Sequence, residues 1–220
     1  MRRLAAILLC LRLVCPTVGA APAVALTFDD GPSGRFTQRL LDGLEQRQVK
    51  ATFFLCGYRV AQYPALTARI AEQGHEIGLH GYSHNNMAQM GRGELERELN
   101  DTMALLPDNG DIHLLRPPGG RTTDQVAQAA AGRGIAIVTW SVDPKDWATG
   151  DAAAVTEAVM SRVHDGDIIL LHDMTDSSVD AALAIIDQLR ERGWSLCTVS
   201  ELAERKGQQL QPGRCYRRLP

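Results

Sequence analysis

No two cysteines of the chain stand in CxxC spacing, so a structural zinc knuckle is not supported. Tandem repeats, low-complexity tracts and interdomain linkers are missing too. The 220 residues, 45% hydrophobic and 22% charged, therefore read as one globular domain with a sizeable core. An uninterrupted membrane span is also lacking. Arg2 and Arg3 precede the apolar run of residues 4–11, but Arg12 breaks it before it could cross a bilayer. Small-residue cleavage candidates follow at Val18-Gly19-Ala20 and Ala21-Pro22-Ala23. Residues 1–23 thus read as a secretory signal peptide and 24–220 as the mature domain, with an uncleaved membrane anchor as the alternative. A secreted or extracytoplasmic protein without a stable span in its mature form is expected.

Positive charge is scarce once that segment is set aside. Its removal takes away three arginines and no acids, leaving 20 basic against 26 acidic residues. A net charge of −6 on those counts argues against nucleic acid as a partner. Cys10 and Cys15 leave with the segment, and Cys56, Cys197 and Cys215 remain. Three is odd, so at least one thiol is free or pairs with another chain. A Cys197–Cys215 bridge tying the tail to the body is the expected pairing.

What is present is a repeated alternation. Apolar or β-branched runs at 24–28, 49–55, 76–79, 112–115, 135–141, 168–171 and 194–199 each precede a stretch with helical character. Seven β-then-α units predict an α/β fold with a parallel sheet and right-handed crossovers. The chemistry-bearing residues fall just after the strands: Asp29 and Asp30, His80 and His84, Arg116, Asp143 and Asp146, and His172. Ligands of parallel α/β folds bind at carboxyl ends of strands. An open sheet would gather them at one switch point, whereas these spread over many strand ends. The distribution favours a closed or nearly closed barrel.

Asp29 and Asp30 end the first strand before Gly31-Pro32. An extended backbone would point their carboxylates to opposite sides, while the turn can rotate both into one cleft. Like charges there need a cation or an arginine between them. The plainer alternative is an Asx-turn with Asp30 capping the next segment. His80-Gly81-Tyr82-Ser83-His84 sets two imidazoles four residues apart, able to share one ion or equally to be a surface pair. With one carboxylate they make a two-histidine, one-carboxylate set suited to zinc or a neighbouring first-row metal. Asp143 and Asp146 could as well cap the following turn, and Trp147 could be packing. His75, His113 and His164 are most simply structural or exposed.

Thr27-Phe28-Asp29-Asp30, the HGYSH run, Arg116-Pro117-Pro118-Gly119-Gly120, Asp143-Pro144-Lys145-Asp146-Trp147 and Leu171-His172-Asp173 together resemble the five ordered motifs of NodB-type polysaccharide deacetylases, carbohydrate esterase family 4. The resemblance covers essentially the whole of residues 24–220. It implies a distorted (β/α) barrel, often seven-stranded, with catalytic residues at the C-terminal ends of the strands. It implies Asp30, His80 and His84 as ligands of a divalent metal, zinc first, cobalt or nickel next. It implies Asp29 as catalytic base paired with Arg116, His172 as general acid tuned by Asp146, and the Gly119 backbone N–H as oxyanion donor. Trp147 and Leu170 would wall a slot for the acetyl methyl.

The activity so implied is hydrolysis of N-acetyl groups on N-acetylglucosamine-containing polysaccharide: peptidoglycan first, then chitin or chito-oligosaccharide. An O-acetyl xylan esterase is the rival within the family, and a glycan-binding module without catalysis is the rival outside it. Two positions depart from the pattern. Gly81 stands where the family usually has Ser or Thr, losing a loop hydrogen bond. Gly119 and Gly120 stand where an aromatic often follows the prolines, lowering one groove wall.

Overall fold

The computed structural model describes residues 21–107 and 112–220. The signal segment at 1–23 therefore lies outside the described residues, except for Ala21–Ala23. The strands among the described residues are β1 (Ala23–Asp29), β2 (Thr52–Leu55), β3 (Glu76–Leu79), β4 (Leu114–Leu115), β5 (Ala136–Val138), β6 (Ile168–His172), β7 (Ser195–Cys197) and β8 (Cys215–Tyr216). The α-helices among the described residues are α1 (Gly34–Gln46), α2 (Gly57–Gln62), α3 (Pro64–Glu72), α4 (Arg92–Met103), α5 (Asp124–Ala131), α6 (Ala152–Met160), α7 (Asp176–Glu191) and α8 (Val199–Arg205).

The strands pair in the order β6-β1-β2-β3-β4-β5-β8, all parallel, and β7 joins the lower part of β1. Beyond β5 the chain touches β6 through the bridge Val142–Ile169, so the sheet curls toward closure without becoming regular there. The seven expected βα units are present as a distorted (β/α)7 barrel. A short eighth strand is added at the β5 edge. Two residues cannot bury a recognisable apolar pattern, which is why β8 leaves no periodic signal in the sequence.

Both faces of β1 are covered, and alternation sorts its residues. Val24, Leu26 and Phe28 pack outward in the core beneath the helices. Ala23 and Ala25 belong to the inner cluster with Phe54, Leu114, Val138 and Ile168. Helix α8 contributes Val199 and Leu202 to that same cluster. Gly78 has a steric reason: a Cβ there would come within 2.6 Å of the Phe54 ring, which fills the interior.

The expected Cys197–Cys215 bridge is not formed; Cys56, Cys197 and Cys215 are all free thiols. Cys197 lies in β7 beside β1, its Sγ 3.4 Å from the Val24 carbonyl oxygen, whereas Cys215 lies in β8 beside β5. Closeness to the chain's end misled the expectation, because the sheet order separates the two strands. Among the described residues, no helix is long and apolar enough to cross a membrane.

Candidate active site

The site is the next inward position above the barrel's inner face. On β1 the inward series Ala25, Thr27 ends at Asp29; on β6 the series Ile168, Leu170 ends at His172; Gly78 is followed by His80 and Leu114 by Arg116. The ladders continue into these residues, since His80 N donates to Leu55 O and Arg116 N to Leu79 O, both at 2.9 Å. Four side chains from four strands thus converge because each stands at an even step from a core residue.

Asp30 joins them by breaking the pattern. Its φ of +71° ends the extended run and turns its carboxylate to the side of Asp29 rather than away from it. Oδ1 of Asp30 then lies 3.2 Å from His80 Nε2 and 3.0 Å from His84 Nε2, and the three donor atoms all fall within 4.8 Å of one another. His84 arrives through a strained backbone of its own, at φ +61°.

These residues fit a divalent cation. His80 Nδ1 is 2.6 Å from the Arg116 carbonyl oxygen, which can only accept, so Nδ1 carries a proton and Nε2 is the ring atom that faces Asp30. Buried Asp30 Oδ1 has no hydrogen-bond partner. With both Nε2 atoms deprotonated, their lone pairs would face that carboxylate oxygen, an arrangement that a cation between the three atoms relieves. Burial alone would raise the Asp30 carboxyl, but the two histidines outweigh it and hold the group well below the usual carboxylate range. Asp30 also raises His84 above the ordinary histidine value, so protons compete with a cation at that ring.

Asp29 is buried beside this set, with Oδ2 3.7 Å from His80 Nε2. Its other oxygen accepts from Arg116 Nη1 at 2.6 Å. Arg116 is wholly buried, and the charge is tolerated because every face of the guanidinium is used. Nη1 also donates to Thr27 Oγ1 (2.8 Å), Nη2 to Thr139 O (2.9 Å) and Nε to Val138 O (3.2 Å), while Phe54 stacks 4.1 Å away.

On the far side, Asp146 is buried and holds His172 twice. Its Oδ1 accepts from His172 Nδ1 and its Oδ2 from the His172 backbone N, each at 2.8 Å. This leaves Nε2 facing the site, 4.0 Å from Asp30 Oδ2. Burial pulls His172 down, but the hydrogen bond and charge of Asp146, with the charges of Asp29 and Asp30, push it up to about 9. Asp143 keeps the plain role, its Oδ1 capping Lys145 N at 2.8 Å. Asp173 is fully buried under the first turn, hydrogen-bonded to Thr37 Oγ1, and burial foremost raises it to about 6.

Solved structures and known sequences share this frame. The profile of the polysaccharide deacetylase family matches residues 18–138. The chain belongs to the polysaccharide deacetylase family. It is 36% identical over 188 residues to the peptidoglycan-N-acetylmuramic acid deacetylase PdaC of Bacillus subtilis, covering 84% of this chain and 40% of that protein. Against the chitooligosaccharide deacetylase of Sinorhizobium fredii it is 36% identical over 200 residues, 84% of this chain and 93% of the other. The family 4 acetyl xylan esterase of Clostridium thermocellum, solved with a cobalt ion, superposes with a TM-score of 0.83 at 35% identity, over 90% of this chain and 99% of that one. The chain spans about two fifths of the length of PdaC.

Within the deacetylase frame the remaining expected residues fall as follows. Gly119 sits in the turn Pro118–Gly120 at φ +69°, and a Cβ there would meet nothing within 4 Å. Gly120 has the same φ, but its Cβ would strike the Trp140 ring at 2.8 Å. Trp147 stands on the rim, 64% exposed. Leu170 is buried one inward step below His172, as floor beneath the site. His75 is structural: its Nδ1 accepts from Ala51 N at 3.2 Å, and burial lowers it to about 4. His113 bonds Ser200 Oγ at 2.8 Å and His164 is exposed, both away from the cluster. Thr27 and Glu98 make contacts around the site that residue spacing did not single out: Thr27 Oγ1 accepts from Arg116 Nη1, and Glu98 Oε2 from Tyr82 N and Ser83 N. Thr27 was legible as an inward strand position, whereas Glu98 is one of several acids on a charged helix and gave no signal.

Proposed function

We propose that the protein is a metal-dependent N-deacetylase of N-acetylglucosamine-containing polysaccharide, acting outside the cytoplasm on peptidoglycan first and on chitin or chito-oligosaccharides next. The observation carrying this reading is the convergence of Asp30, His80 and His84, with Asp29–Arg116 on one side and His172–Asp146 on the other. Relatives named for peptidoglycan and chitooligosaccharide deacetylation support the substrate class.

A divalent cation held by Asp30, His80 and His84 would supply Lewis acidity toward the acetyl carbonyl and the attacking water. The chain's own residues do the rest. Asp29, fixed by Arg116, accepts a proton as water oxygen adds to the acetamide carbon. The Gly119 N–H is the backbone donor for the resulting oxyanion. His172, kept cationic by Asp146, gives its Nε2 proton to the departing nitrogen as the C–N bond breaks. Acetate and a free amine leave, consuming one water. Trp147 and Leu170 would bound the acetyl methyl from rim and floor.

Ester hydrolysis on acetylated xylan is the second reading, favoured by the likeness to the acetyl xylan esterase. The same base and cation would serve it, but an alkoxide needs less help from His172 than an amine. Acetate release from peptidoglycan, chitin oligomers and acetylated xylan, assayed in parallel with and without a chelator, separates these readings. Release from the two amide polymers, abolished by chelator, is expected; release from xylan alone would overturn the first reading.

A further inference from the structure

The segment between the two histidines must hold a strained shape with little packing to help it. Gly81 has φ +76° and His84 φ +61°, and the His84 side chain is 44% exposed. Two elements stitch this segment down from opposite sides. The carbonyl oxygens of Gly81 and Tyr82 accept from Gly57 N (2.9 Å) and Tyr58 N (3.1 Å) at the start of α2. The amides that follow point the other way, to α4. Glu98 Oε2 accepts from Tyr82 N (2.6 Å) and Ser83 N (2.9 Å), and its Oε1 accepts from Ser83 Oγ (2.6 Å).

Gly81 is what allows this approach. A Cβ at residue 81 would stand 3.0 Å from Glu98 Oε2, and the φ disfavours any side chain there. The loop hydrogen bond lost by having glycine in place of Ser or Thr is replaced by three bonds to a carboxylate from another helix. Bonds to an ionised acceptor are stronger than neutral ones, and a carboxylate has the lone pairs to take all three.

We propose that Glu98 is the positioning residue of the cation site: its grip on Tyr82 and Ser83 fixes where His84 Nε2 stands relative to His80 and Asp30. The inference rests on the reading of those three residues as a metal site. Groups that orient ligands typically change metal affinity by about 10- to 100-fold when removed.

The test is calorimetric titration of Co2+ into the chelator-stripped full chain, alongside thermal melts of the same metal-free samples. Glu98→Ala is expected to bind Co2+ about 10- to 100-fold more weakly than wild type. Glu98→Gln is expected to stay close to wild type, because its amide oxygen can accept from both backbone N–H groups and its NH2 can donate to Ser83 Oγ. A merely structural role would lower the metal-free melting temperature of Glu98→Ala and leave its affinity unchanged, and that result overturns the proposal. A Gln variant as weak as Ala also overturns it, since the grip is kept and only the charge is lost. If Glu98→Ala does not fold, Ser83→Ala decides. That variant removes the bond from Ser83 Oγ to Glu98 Oε1 together with the longer one from Asn85 N to Ser83 Oγ (3.3 Å); it is expected to weaken binding by about 2- to 10-fold, and unchanged affinity overturns the proposal. Failure of the wild-type chain to bind Co2+ would instead bring down the metal site itself, and the proposal with it.

Discussion

Asp146 holds His172 by ring and backbone at once, with Oδ1 2.8 Å from Nδ1 and Oδ2 2.8 Å from the backbone N. The double contact fixes the ring's orientation and keeps its proton. His172 is raised to about 9, so the acid form needed to protonate an amine is full below the ordinary histidine range and lost as pH climbs through 9. Asp146→Asn removes the main upward influence while burial still acts downward. The alkaline limb of kcat/KM should therefore move to lower pH by more than one unit, with the largest rate loss near pH 8 and partial recovery near pH 6. A cation at Asp30 would withdraw that residue's share of the shift and by its own charge push His172 further down, but it would leave Asp146's share in place. The stability contribution has the same sign: present at acid pH, lost through about 9. A pH–rate profile of the two proteins checks this, and superimposable alkaline limbs would remove Asp146 from its tuning role.

The adjacent carboxylates should separate cleanly by substitution. Asp29→Asn keeps the shape beside Arg116 but removes the proton acceptor, and a loss of about 10²- to 10⁴-fold in kcat is expected for a missing general base. Its cation content should stay near wild type. His84→Ala should do the reverse at the first step, lowering bound cation per chain before any turnover is measured. Metal analysis beside acetate release reads both. An active Asp29→Asn, or a His84→Ala that holds its ion as tightly as wild type, would break the assignment of that residue.

Gly119 makes a gap in the rim where an aromatic often stands in this family. A Cβ at residue 119 would meet nothing within 4 Å, but the φ of +69° there costs any L side chain about 1–2 kcal/mol. A small drop in melting temperature is expected with a narrowed substrate range, away from peptidoglycan carrying peptide stems and toward linear chito-oligosaccharides. Relative acetate release across the two substrates measures it, and unchanged selectivity would refute a role for the gap.

The start of β1 constrains where a leader could be removed. Pro22 O accepts from Ser195 N at 2.8 Å, Ala23 O accepts from Gly166 N at 2.8 Å, and Ala23 N donates to Asp165 Oδ1 at 2.8 Å. Cleavage after Ala23 would discard all three bonds; cleavage after Ala20 keeps them. Sequencing the amino terminus of exported protein should therefore begin at Ala21, and a terminus at Val24 would contradict this.

Much of the barrel was legible because strand periodicity is strict. Val24-Ala25-Leu26-Thr27-Phe28 alternates about a buried strand, so the residue closing the inward series had to face the barrel mouth, and Asp29 and His172 both obey this. Asp30 was only half legible. Its place in the cleft depends on a positive φ that the following Gly31-Pro32 suggests but does not require. Glu98 was not legible, since two of its three bonds are to backbone amides that no residue type announces. The cysteine pairing failed for a related reason: sequence separation says little about which strands the sheet order sets side by side.

The central claim is that Asp30, His80 and His84 share one divalent cation beside Asp29. Anomalous diffraction at the cobalt edge from crystals of the Co2+-loaded protein tests it most directly. The account predicts one strong peak about 2.0–2.2 Å from Asp30 Oδ1, His80 Nε2 and His84 Nε2. A peak elsewhere, or none among those three atoms at full Co2+ loading, would contradict it.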